Sequence, residues 1–169
     1  MQPARLTRAA AALAALLATL SPAVAVAPAS PTAVFPFELL DTSGEGEKPG
    51  QPERLAMATR ELADVLAQSG RYQPIDLTPF AAEVAATQPR YACGDCWLAV
   101  ARKAGAAFTV LAVVHKVSTL VSTMDIRIAD VQRGQYIAAA RGQIRGDNDI
   151  AYRRGVDFLV RERLLASRE

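Results

Sequence analysis

The sequence predicts an α/β (α+β) domain: a mixed sheet of about five strands with helices packed against it. Three observations carry this. Phe108–Val117 (FTVLAVVHKV) is an almost continuous apolar, β-branched run, as expected of a strand buried on both faces. Two further strand-like segments follow it across short turns, which makes a meander. Segments 52–69 and 149–166 carry apolar residues at helical spacing. The elements fall in the order β-α-β-α-α-β-β-β-α, a mixture in which helices must cover the sheet.

The first residues do not belong to that domain. Arg5 and Arg8 precede an Ala/Leu run from Ala9 to Leu20, interrupted only by Thr19; Ser21-Pro22 then breaks the helix, and small residues follow. This is the pattern of a cleavable export signal over residues 1–25, with cleavage after Ala23-Val24-Ala25. The apolar run is shorter than the ~20 residues of a membrane-spanning helix, so no stable membrane insertion is expected once the signal is removed. No Cys follows the run, which argues against a lipoprotein. Removal of Arg5 and Arg8 takes Lys+Arg from 19 to 17, equal to the 17 Asp+Glu, so the mature chain is formally neutral. Clustered excess positive charge, the footprint of nucleic-acid binding, is missing.

Residues 26–31 read as a flexible Pro/Ala/Ser leader, and 32–169 as a single α/β domain. Ala33–Leu40 (AVFPFELL) is strand-like, with Pro36 requiring an edge position or a bulge. Asp41–Gln51 is a polar, Gly-rich loop. Pro52–Ser69 is a helix with Leu55, Ala58, Leu62, Val65 and Leu66 on one stripe; Pro52 suits its first turn and Gly70 its end. Tyr72–Leu77 is a short strand, and Thr78 is positioned to cap a brief helix, Pro79–Ala86. After the loop Thr87–Cys96, Asp95 is placed to cap a helix Cys96–Ala104. In Thr123–Val131, Met124, Ile126 and Ile128 alternate with polar residues. Arg133-Gly134 turns the chain into Gln135–Ile144. Asp147 or Asn148 caps the last helix, Asp149–Ala166, whose buried stripe is Tyr152, Val156, Leu159, Val160 and Leu164.

Cys93-Gly-Asp-Cys96 is the one constellation with chemistry in reach. A c-type haem needs His after the second Cys, and Trp97 stands there. Zinc would need four ligands, and two Cys with the only His, His115, leave a carboxylate to be found. A thiol-disulfide centre at a helix N-terminus would have a lowered thiol pKa, but the thioredoxin fold pairs such a motif with a later cis-proline and no proline follows Pro89. A structural disulfide in an oxidising compartment is the plainest reading. His115 reads as a strand-end histidine with a hydrogen-bond partner, since no second His and no Gly-x-Ser-x-Gly accompany it. Asp147, Asn148 and Asp149 lack the spacing of a calcium loop. Gly44, Gly46 and Gly50 match no phosphate-binding spacing, and Asp41, Glu45 and Glu47 would repel a phosphate. No metal and no cofactor is expected.

Four segments together resemble a family of uncharacterised secreted proteins of proteobacteria: Ala33–Glu47, Cys93–Ala106, His115–Leu120 and Arg145–Leu165 (RGDNDIAYRRGVDFLVRERLL). That family is similar in layout to the N-terminal domain of the translocation protein TolB and to curli-assembly-type outer-membrane lipoprotein domains. The last segment is the most specific, with Arg-Gly, a polar turn, an aromatic residue and a second Arg-Gly. Tyr152 stands where the family pattern expects Trp, and Pro36 departs from an expected polar residue. The resemblance implies a fold and no reaction; it implies an envelope accessory module that binds an unidentified envelope protein. The candidate interaction loop is the one carrying Asp41, Glu45, Glu47 and Lys48. The alternative is a thiol-disulfide or small-molecule-handling accessory protein using Cys93 and Cys96.

Overall fold

The computed structural model describes residues 28–46 and 48–166. The expected export signal lies outside them. The strands are β1 (Ser30–Val34), β2 (Glu38–Asp41), β3 (Tyr72–Pro74), β4 (Phe108–Lys116), β5 (Val121–Asp130) and β6 (Gln135–Arg145); the helices are α1 (Gln51–Gln68), α2 (Ala81–Ala86), α3 (Leu98–Lys103) and α4 (Asp149–Leu159). The sheet runs β3-β1-β4-β5-β6, with β2 also paired to β4. β3, β1, β2 and β4 are mutually parallel where they pair, and β4-β5-β6 is an antiparallel meander. The architecture is the expected mixed α+β sheet, with six strands because the first is split.

The split has a physical cause. Val34 pairs with Val110 and Glu38 with Val113, so four residues on one side span three on the other. Pro36, exposed and unable to donate to the ladder, sits in this bulge. In an unbroken strand Phe35 and Phe37 would share a face. The bulge sends Phe37 to the core on one side of the sheet and Phe35 to the core on the other. β1 also begins at Ser30, inside the stretch 26–31 expected to be a leader.

One face is covered by α1 and α4. Met57, Ala58, Leu62, Val65 and Leu66 of α1 and Tyr152, Val156 and Leu159 of α4 pack on Val110, Val114, Met124, Ile126 and Ile128. Each large side chain so buried stabilises the fold by roughly 1.5–3 kcal/mol. Small residues let α4 pack directly onto the sheet. A Cβ at Gly155 would come within 2.7 Å of the Ile144 side chain, and one at Gly142 within 2.9 Å of Leu159. The other face is covered only in part, by α2, α3 and the loop between them, over a smaller core of Phe35, Val84, Trp97, Val100, Leu111 and Val131.

Several expected boundaries shift. Tyr72–Leu77 is extended only to Pro74. Thr78 opens a 3-10 turn, Thr78–Phe80, whose N–H is accepted by the Asp76 carboxylate at 2.8 Å, so Asp76 does the capping expected of Thr78. Asp95 does not cap with its side chain; its carbonyl accepts from the Leu98 N–H, and the helix starts at Leu98. α4 stops at Leu159 and continues as one π-turn, Val160–Leu164. The extra residue in that turn lets Leu159, Val160 and Leu164 all reach the core.

Candidate functional site

Three connections meet at one rim: the β2–α1 loop, the β4–β5 hairpin and the β6–α4 turn. Lys116, the last residue of β4, stands among them with its side chain 1% exposed. Its ammonium lies 3.4 Å from Asp41, 3.5 Å from Glu45 and 4.0 Å from Asp147. Asp147 in turn takes a 2.9 Å bond from Arg54 of α1, which also reaches Asp149 at 3.2 Å. An ion this deeply withdrawn from water is tolerable only when partners surround it; the end of β2 and the loop after it supply two, and the β6–α4 turn the third.

The same loop braces the hairpin. Glu45 accepts from the Thr119 N–H at 3.0 Å and from its hydroxyl at 3.2 Å. Those bonds, the backbone one foremost, with Lys116 beside it, hold the Glu45 carboxyl below its ordinary value. Asp41 is lowered likewise, first by the Ser43 hydroxyl and N–H that donate to it, then by Lys116. His115 Nε2 shares a 2.8 Å hydrogen bond with the Thr42 hydroxyl. On the tip that Glu45 fixes, Val117 is 49% and Leu120 73% exposed. Behind the rim, Tyr152 receives a 3.0 Å bond from Gln51. Burial, with the Asp147 charge nearby, pushes the Tyr152 phenol up to about 12.

The expected loop residues thus divide. Asp41 and Glu45 meet at Lys116 and are engaged internally. Lys48 borders a shallow groove with Leu39, Gln51 and Leu55. Glu47 lies outside the described residues. Asn148 caps α4, its side-chain oxygen accepting from the Ala151 N–H at 3.0 Å, while Asp147 turns inward to Arg54 and Lys116.

Cys93 and Cys96 sit elsewhere, on the partly covered face. Their sulfurs are at disulfide-bonding distance, with Cα atoms 5.9 Å apart. Their loop is clamped by Arg90, which is buried. Arg90 pairs with Glu38 at 3.2 Å, donates to the carbonyls of Val84 and Pro36, and lies over the Phe35 ring. Glu38 returns two bonds by accepting the N–H groups of Arg90 and Tyr91, each at 3.1 Å. Burial lowers the Arg90 pKa, and Glu38 pulls it partly back. Sequence reasoning missed Lys116, Arg90, Glu38 and Arg54. A signal existed for two: Lys116 and Glu38 are single charges inside apolar strands, which read as buried pairs in waiting.

No group of three or more His, Cys, Asp or Glu able to hold a metal occurs among the described residues. No described helix is long and apolar enough to cross a membrane. Fold and rim together define a mixed-sheet α+β domain whose polar residues brace its loops. Residues 30–164 match the family DUF3280, described as "Protein of unknown function (DUF2380)", and the chain belongs to that family. No curated protein matches the sequence. Among solved structures it is similar to the LpoB C-terminal domain from Salmonella enterica, at 15% identity over 72% of this chain and 87% of that one, with a TM-score of 0.52. It is also similar to PelC, crystallised as a dodecamer, from Paraburkholderia phytofirmans (15% identity, 86% and 93% coverage, TM-score 0.52). A third likeness is to lipoprotein GNA1162 from Neisseria meningitidis (13% identity, 79% and 96% coverage, TM-score 0.50). At these identities the likeness is one of fold.

Proposed function

We propose that this chain is a non-enzymatic accessory domain, exported to the periplasm after cleavage near Val26, that docks on another envelope protein through the rim around Lys116. The carrying observation is the tip of the β4–β5 hairpin, where exposed Val117 and Leu120 are held by Glu45 on Thr119. Apolar side chains presented on a rigid edge lose little entropy on binding. The Cys93–Cys96 pair suits an oxidising compartment, and we assign it a structural role. The fold it shares with a lipoprotein and with a protein that assembles as a dodecamer fits an interaction module.

A photo-crosslinking residue placed at Leu120 in the native envelope tests this, with Arg60, exposed on α1, as the control site. Position 120 is expected to capture one identifiable protein and position 60 none. Val117→Asp, combined with the crosslinking residue at 120, should abolish capture while leaving the thermal transition unchanged. Equal capture at both sites overturns the reading. A Cys93→Ser, Cys96→Ser double variant should fold less stably and still be captured; loss of capture at unchanged stability would favour the thiol alternative.

A further inference from the structure

We propose that the outer edge of β6, with the adjoining flank of α4, binds an extended acidic segment of a protein partner, which adds to the sheet as a further strand. The inference rests on the interaction reading above and names a different surface and the chemistry of its occupant.

The two edges of the sheet are built differently. β3 is three residues long and ends in Pro74, which blunts it. β6 is 11 residues long, contains no proline and no acid, and pairs only with β5. A long unpaired edge is a template for another strand. Beside it, α4 is drawn down by Gly142 and Gly155, leaving a groove lined by Gln143, Ile144, Arg145, Ile150, Arg154 and Phe158. Ile150 is 63% and Phe158 49% exposed. Apolar side chains there offer pockets to alternate residues of an added strand.

Charge selects the occupant. Most cations near this groove are already neutralised: Arg141 bonds to Asp125 at 2.7 Å, Arg153 to Glu61 at 3.0 Å, and Arg161 to Asp157 at 2.5 Å. Arg145 and Arg154 are exposed and have no ion pair among the described residues. They are the two arginines of the Arg-Gly pairs, Arg145-Gly146 and Arg154-Gly155, that mark the most specific segment of the sequence. The glycine of the second pair makes room for the helix, and both arginines are left facing solvent at the groove. A second copy is a poor occupant. Antiparallel pairing of β6 with itself near its C-terminal end would bring the two unpaired Arg145 side chains together with no acid of β6 between them, and like charges destabilise a strand pair. The charges that repel a copy attract an acidic strand.

The test uses blocked octapeptides, (Val-Glu)4 and (Val-Lys)4, titrated into the isotopically labelled exported protein. (Val-Glu)4 is expected to shift β6 and α4 amides and to slow exchange of β6 amides. (Val-Lys)4 should do neither. The Arg145→Glu, Arg154→Glu variant should bind (Val-Glu)4 about tenfold more weakly, the sum of a few exposed charge contacts, and should prefer (Val-Lys)4. Binding indifferent to peptide charge, shifts confined to other elements, or a concentration-dependent dimer with β6 protected would each overturn the proposal. Failure here with capture at Leu120 intact removes the edge site alone. Peptide binding without capture at Leu120 removes the rim reading alone.

Discussion

Lys116 and Arg90 are both cations shut off from water, and they are held in opposite ways. Lys116 is a point charge among three carboxylates from two separate connections, and two of them, Asp41 and Glu45, keep contact with solvent. Arg90 is a planar fork with one buried carboxylate, two main-chain carbonyls, a hydroxyl and an aromatic face. The first arrangement gathers loops at a surface, and the second fastens a loop across a core. The difference follows from the side chains. Ammonium accepts partners from any direction, whereas guanidinium demands a fixed fan of acceptors and tolerates a ring beneath it. A rim that must present a surface can use the adaptable ion, and a clamp that must hold one geometry needs the directional one.

Breaking the clamp should cost most. Arg90→Met strands Glu38 in a dry site and is expected to destabilise the fold by about 3–5 kcal/mol, read as a shift in the urea midpoint. Glu38→Gln added to it should return part of that loss, since the stranded charge is gone. An additive double variant would show that the pair is not the source.

Tyr152, buried behind the rim, should give an intermediate effect. Its folded pKa is raised, so its stabilising contribution is complete below the ordinary value near 10 and is lost as pH climbs from there to about 12. The loss is on the order of 2–3 kcal/mol at one proton per molecule. Tyr152→Phe should flatten this alkaline limb; an unchanged limb would assign it to another group.

The rim itself should respond least. Lys116→Met is expected to lower stability less than Arg90→Met, and the gap should widen in 1 M salt, where surface charges are screened within ~3 Å. Asp41 and Glu45 have lowered folded pKa values, so their contribution is present above the ordinary carboxylate range and disappears as pH falls through the lowered values. Acid titration of Lys116→Met should therefore show a shallower stability decline than the parent. A larger loss than that of Arg90→Met would reverse the comparison.

What could be read in the sequence follows the range of the interactions involved. Periodicity is local, so Met124, Ile126 and Ile128 declared their shared buried face, and Leu55 to Leu66 their stripe. Pro36 declared a bulge because its missing N–H is a property of one residue. The clamp was hidden because Glu38 and Arg90 are 52 residues apart and bond mainly through main-chain groups that no side-chain pattern records. The rim was half visible. The polarity of Asp41 to Lys48 was plain, but whether those acids faced solvent or Lys116 depended on β2 lying beside the end of β4. The π-turn after Leu159 stayed hidden for a similar reason, since its apolar residues fit an ordinary helix nearly as well.

β4 is the neighbour of both halves of the split first strand, and it arrives late in the chain. Thr32 pairs with Phe108 across 76 residues, while β4, β5 and β6 are joined by turns of a few residues. Closing the long loop costs entropy before any contact repays it, whereas the meander closes almost at once. The N-terminal strands therefore carry the larger closure cost, and the meander the smaller. Both bracing systems, the clamp through Glu38 and the rim through Asp41, hang on β2 and so depend on that long-range closure.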